Sequence, residues 1–192
     1  MLWAFIGILL TISGTFLPSS LVGPTVSPEG IQIPTSIEEL QIYPLQVTYQ
    51  VGAVLLVGCL GGKQSATLAQ IAYLVLGLAG CQVFSQGGGL DYWREPTFGY
   101  LLGFIPAAWI CGYLAFRKPP SLENLAISSL AGLGMVHLLG LIYLLGLSLA
   151  RQLSEPLLQA MWHYSVQSLP GQLAMVCVVA VVARLLRWVL IY

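Results

Sequence analysis

The chain has 192 residues, of which 57% are apolar and only 7% charged, with seven Lys and Arg balanced by seven Asp and Glu. Soluble domains carry roughly 25% charged residues, so this composition cannot build an ordinary water-facing surface, and the lack of a basic excess excludes the electrostatic footprint of a nucleic-acid binder. A mean hydropathy of +0.86 points instead to one integral membrane domain over residues 1–192, with the lipid bilayer as its solvent.

A membrane helix needs about 20 mostly apolar residues. Six stretches qualify in chain order: 2–21, 44–61, 64–83, 98–116, 122–149 and 166–190. The expected fold class is therefore an all-α membrane protein with six transmembrane helices. The first stretch lacks a basic flank and a small-residue cleavage site, which favours a retained span over a cleaved leader. After it, 22–43 contains Pro24, Pro28 and Pro34 and is long for a connection, so it reads as a lid or a linker. The second span opens on a polar patch, Gln46, Thr48, Tyr49 and Gln50.

Gly61-Gly62-Lys63-Gln64 superficially resembles a phosphate-binding loop. That pattern requires Gly at 57 and Ser or Thr at 64, where the chain has Val57 and Gln64. Lys63 reads as an inner-face anchor, and the chain shows no means of hydrolysing ATP. Ser121 is the expected N-cap of the fifth span, with Pro119 and Pro120 before it and Glu123 in its first turn.

Charge sets an orientation. With the amino terminus in the cytoplasm, Lys63, Arg117, Lys118, Arg184 and Arg187 fall inside, and Arg94 and Arg151 outside. The excess of inner Lys and Arg obeys the positive-inside rule, which places both termini in the cytoplasm of a multi-pass protein of the plasma (inner) membrane. The acidic residues Glu29, Glu38, Glu39, Asp91, Glu95 and Glu155 then lie outside.

Nothing in this pattern is catalytic, and no cofactor is implied. No acid lies in the interior of a span, which argues against ion-coupled secondary transport. His137 and His163 have no partner at metal-ligand spacing and read as packed or interfacial histidines. Cys59, Cys81, Cys111 and Cys177 include no CxxC pair and read as small packing residues. Ser13, Ser128 and Ser129 read as helix-packing residues.

The polar, glycine-rich connection 83–104 is the place for recognising a polar molecule. Gly87, Gly88 and Gly89 permit tight bends and close approach to a ligand. Gln86 offers donors and an acceptor that suit a urea or amide. Tyr92, Trp93 and Tyr100 supply flat apolar surface with polar tips, and Arg94 suits a carboxylate. On composition alone, an interfacial aromatic belt around an ordinary glycine turn accounts for the same residues.

The order of these residues adds a resemblance. Val83-Phe84, Gly87-Gly88-Gly89 and Pro96-Thr97-Phe98-Gly99-Tyr100-Leu101-Leu102-Gly103-Phe104 follow the pattern V-F…G-G-G…P-T-x-G-Y-L-x-G-F. Thr48-Tyr49-Gln50 stands at a T-L-Q-like run, and Tyr73-Leu74 with Gly77 and Gly80 at Y-L-x-x-G-x-x-G. Together these resemble the BioY family, the biotin-specific S components of energy-coupling-factor transporters, over about residues 48–112.

The resemblance implies a six-helix S-component bundle that captures biotin near the outer face and docks on a transmembrane scaffold subunit served by two ATPases. It implies that Gln50, Gln86 and Gln172 hydrogen-bond the ureido ring and that Phe84, Tyr92 and Tyr100 pack against the bicycle and tail. Gly87, Gly88 and Thr97 belong to the same binding motif, and Arg94 or Arg151 meets the carboxylate.

Two departures stand out. The family's sixth span opens on a G-D-x-x-K-like motif, and here Gln172 stands for the acid and Met175 for the lysine. The family's A-x-x-x-A docking pattern in the first span is reduced to Gly7 with Thr11. They leave two alternatives: an S component for another small vitamin-like molecule, and a non-transporting membrane protein that keeps the fold.

Overall fold

The structure, a computed structural model, describes residues 1–23, 26–27, 30–31, 41–153 and 155–190. Its helices are α1 (Leu2–Phe16), α2 (Gln50–Leu78), α3 (Phe98–Ala115), α4 (Leu122–Leu149), α5 (Leu157–Met161) and α6 (Leu169–Leu190). A 3-10 turn at Leu90–Arg94 precedes α3, and a π-turn at Trp162–Val166 runs from α5 toward α6. Four helical stretches among the described residues are long and apolar enough to cross a membrane: Gln50–Leu78, Phe98–Ala115, Leu122–Leu149 and Leu157–Leu190.

The helical class stands, with a β-ribbon added to it. Strand β1 (Pro18–Gly23) pairs antiparallel with β4 (Gln41–Thr48), and β2 (Val26–Ser27) with β3 (Gly30–Ile31). This corrects two expected boundaries. The first helix stops at Phe16 instead of 21, where Pro18 ends it. The second starts at Gln50 instead of 44, because Ile42, Tyr43 and Val47 favour extended backbone and Pro44 disfavours a helix through 40–44. Of the segment read as lid or linker, Pro24, Pro28 and Pro34 lie outside the described residues, as do Glu29, Glu38 and Glu39.

Helix α2 is folded in two. Gly62 has φ 72 and ψ 173, a region essentially reserved for glycine. In a straight helix Gln50 and Tyr73 would lie about 35 Å apart, yet Gln50 Nε2 donates to the Tyr73 hydroxyl at 2.8 Å. Residues 50–61 (α2a) and 63–78 (α2b) therefore run antiparallel about the break. The chain needs this break between its second and third apolar runs, and Gly62 supplies it where sequence reading placed only a short inner connection. The third run then ends at Leu78 instead of 83, because Gly80 takes a φ of 100 and the chain turns into the glycine loop.

With little charge available, small residues and neutral hydrogen bonds hold the bundle together. Gly7 of α1 admits Val57 of α2a and Ala69 of α2b, and Gly103 of α3 lies against the Val136 backbone of α4. Thr11 is fully buried, donates to the Gly7 carbonyl at 2.8 Å and receives the Gln70 amide at 3.1 Å. Gly7 and Thr11, all that remains of the expected docking pattern, are thus engaged inside the fold. Cys59 and Cys111 approach to 3.6 Å as free thiols beside Ser129, in keeping with a packing role.

The basic residues gather at the Gly62 end. Lys63 lies over the Trp109 and Tyr113 rings, and Gly112 packs against the Lys63 backbone. Arg187 donates to the Ala115 carbonyl at 2.9 Å and stacks 3.9 Å from the Phe116 ring centre, while Arg184 bonds the Pro120 carbonyl. Ser121 caps α4 as expected, accepting from the Asn124 amide at 3.2 Å.

Replacing Gly62 by Ala forces a side chain into glycine-only backbone and is expected to cost about 1–3 kcal/mol. Gly134, exposed in the middle of α4 with open space where a Cβ would stand, serves as the control. Thermal melts in detergent should show Gly62→Ala lowered and Gly134→Ala unchanged or slightly raised.

Candidate functional site

The opposite end of the bundle carries the glycine loop, and its geometry starts with Tyr73. The Tyr73 hydroxyl receives Gln50, donates to the Val83 carbonyl at 3.1 Å and lies 3.3 Å from the Thr15 Oγ. One side chain of α2b thus ties together the end of α1, the start of α2a and the first residue of the loop.

Phe84 follows and drops its ring onto Gly77, where no side chain would fit. It meets Tyr73 edge-on at 5.3 Å and Tyr92 at 4.6 Å. The chain reverses at once: Phe84 and Gly87 exchange both backbone hydrogen bonds, at 3.0 and 3.1 Å. Gly87 and Gly89 both have φ 112, and the Gly89 amide donates to the Gly77 carbonyl at 2.8 Å. Tyr92 is buried in the 3-10 turn, its hydroxyl 3.2 Å from Thr97 Oγ and 3.4 Å from Ser85 Oγ. Tyr143 of α4 donates to the Trp93 carbonyl, which holds the turn onto the bundle.

A second polar group lies between α3, α4 and α6. The Tyr100 hydroxyl bonds Ser165 Oγ at 2.6 Å, and its ring stands edge-on to His137 at 5.9 Å. His137 Nε2 in turn contacts the Gln172 side-chain oxygen at 2.6 Å. One turn further along α6, buried Met175 packs where a Cβ on Gly52 would stand, two residues from Gln50. A cavity of about 370 Å³ opens beside this group, lined by His137 and Ser165 among leucines of α4 and α6. A smaller one of about 230 Å³ runs past Met175, Gly52 and Tyr49.

The family model described as BioY family matches residues 31–191. The chain belongs to the BioY family. An uncharacterised 21.2 kDa protein from the psbX–ycf33 intergenic region of Cyanophora paradoxa is 32% identical over 98% of this chain and 95% of its own length. The probable biotin transporter BioY of Lysinibacillus sphaericus is 40% identical over 47% of this chain and 46% of that protein. The biotin transporter BioY of Thermotoga maritima is 42% identical over 50% and 57%. The chain thus aligns to about half the length of these two transporters. A crystal structure described as the S-component for biotin from an ECF-type ABC transporter superposes with a TM-score of 0.69 at 24% identity, over 97% of this chain and 88% of that one. That likeness establishes the BioY-type fold.

Set against this geometry, the residues expected at the site fall into two groups. Gln50, Phe84, Tyr92 and Thr97 are drawn together around Tyr73, while Tyr100 and Gln172 meet through His137. Gln86 and Arg94 are exposed, Arg94 lying 5.5 Å over the Trp93 ring, and neither is held by these two groups in this conformation. Gly87 makes the reversal. Gly88 makes its close approach to the Cys81 and Gly77 carbonyls of its own chain. Gln172 is engaged through its side-chain amide, which contacts His137.

The partners of two residues leave no local spacing to read. Tyr73, expected only as part of a motif, has partners 23 and 58 positions away. His137, expected to be packed or interfacial, is half-buried and bonds Gln172 35 positions away.

Tyr73→Phe leaves the Val83 carbonyl and the Gln50 amide without their partner. The expected loss is about 1–3 kcal/mol, read as a lower melting temperature in detergent. A Phe variant that melts with the wild type would show that the loop is held elsewhere.

Proposed function

We propose that this chain is the substrate-binding membrane subunit of a biotin uptake transporter, capturing biotin at the external face. Membership of the BioY family supports it, and so do the printed names of the relatives from Lysinibacillus sphaericus and Thermotoga maritima. The observation that carries it is the meeting of neutral polar groups at one end of the bundle. There Gln50–Tyr73 and His137–Gln172 are linked through Gly52 and Met175, and the first of them adjoins the glycine loop through Val83 and Phe84. A neutral bicyclic urea with an aliphatic acid tail suits such a surface, which offers amides, hydroxyls and rings but keeps charge at its rim.

In this reading the two arms of α2 count as separate crossings, which with α1, α3, α4 and α6 makes six and returns both termini to the cytoplasmic side of the plasma membrane. The basic Gly62 end faces inward, as the positive-inside rule requires. The energy for import comes from a scaffold subunit and two ATPases. A second reading, an S component for another small vitamin-like molecule, is favoured by Gln172 and by Met175, which is packed against Gly52 where the resemblance implies a lysine.

A ligand that binds only the folded protein stabilises it by about 2.7 kcal/mol at a hundred times its dissociation constant. Biotin is therefore expected to raise the melting temperature of the purified protein in proportion to the logarithm of its concentration. A panel in which another vitamin does so and biotin does not would favour the second reading. In a cysteine-free background, Lys63→Cys should be labelled by an impermeant thiol reagent only from the cytoplasmic side and Arg94→Cys only from outside. The reverse pattern would overturn the orientation.

A further inference from the structure

The His137–Gln172 contact leaves a defined set of hydrogen-bonding groups free. An amide oxygen only accepts, so in the contact of Nε2 with the Gln172 oxygen the imidazole donates, and in a neutral ring Nδ1 then carries a bare lone pair. That Nδ1 is buried and has no hydrogen-bond partner among the described residues. The amide nitrogen of Gln172 keeps its two N–H donors outside this contact. Turning the amide over reverses every role: the Gln172 nitrogen donates to Nε2, the imidazole proton sits on Nδ1, and the amide oxygen is released. In both arrangements, with a neutral imidazole, the pair presents an N–H donor beside an acceptor.

The complement of a neutral donor–acceptor couple is an N–H beside a C=O. A carboxylate only accepts and an ammonium only donates, so each would leave half of the couple unmatched. The surroundings fix the couple in place. Tyr100, anchored on Ser165, holds the imidazole edge-on, and the cavity that His137 lines continues along Leu133, Leu141 and Met161, a path for an aliphatic chain. An unpartnered buried acceptor destabilises the empty protein, and a ligand N–H that reaches Nδ1 removes that penalty.

We propose that His137 and Gln172 together read the N–H/C=O edge of a cyclic urea or amide. His137 thereby serves as the partner of Gln172 in a chain whose α6 has Gln172 and Met175 where the resemblance implies an acid and a lysine. The inference rests on the biotin-capture reading and adds to it a specificity-determining residue on α4.

The test is calorimetric titration of purified protein with biotin and with biotin methylated on its ureido nitrogens. His137→Phe should weaken biotin binding roughly ten- to a hundred-fold and reduce the preference for biotin over the methylated compound. His137→Gln, which keeps a donor and an acceptor, should stay within roughly threefold of wild type. Gln172→Leu supplies the same comparison from the other member of the pair, and a cooperative melt checks the folding of each variant. If His137→Phe or Gln172→Leu binds biotin as tightly as wild type, the recognition role is overturned while biotin capture stands. Equal weakening of both compounds marks a merely structural residue and overturns it too. A wild-type protein that binds no biotin overturns the capture reading, and this inference with it.

Discussion

The Tyr73 hydroxyl is the joint on which the loop end of this protein depends. It meets the start of α2a through Gln50, the end of α1 beside Thr15, and the glycine loop through Val83. None of these contacts would exist without the fold-back at Gly62, which brings the two ends of a 29-residue helical stretch together. Gly62 at one end and the Tyr73 phenol at the other thus define the same hairpin. Phe84, Tyr92 and Thr97 build outward from it, so the position of the loop is set by the bundle beneath it.

Packed basic side chains and buried neutral polar groups are separated along the bundle. Lys63, Arg117, Arg184 and Arg187 gather at the Gly62 end, where rings and backbone carbonyls receive them. At the loop end the buried groups are amides, hydroxyls and an imidazole. Inside a bilayer a buried charge is costly and needs a partner, whereas a neutral hydrogen-bonding pair incurs a far smaller desolvation penalty. Gln172 and Met175, standing where the resemblance implies an acid and a lysine, fit this division.

Much of the fold was legible because apolar runs of membrane length are hard to misread. The fifth run emerged at Leu122–Leu149 with its Ser121 cap, and the break between 61 and 64 fell where Gly62 turns. The first two runs were overextended because hydropathy alone does not separate a helix from an apolar strand, and Gln41–Thr48 is extended. At the site, the local motif pointed to the loop and to its aromatic residues. It did not reveal that Gly88 approaches its own backbone or that Gln172 bonds His137, since pairings over 35 positions leave no spacing to read.

Helix α1 has 15 residues, a rise of about 22 Å, against a hydrocarbon layer of roughly 30 Å. Its inward face is committed to α2, and its outward face, with Leu2, Phe5 and Leu9, is exposed. A crossing helix this short is matched by local thinning of the bilayer, since tilting would shorten its span further. Its length thus makes the fit between protein and membrane depend on bilayer thickness, a setting controlled by lipid composition instead of by any side chain.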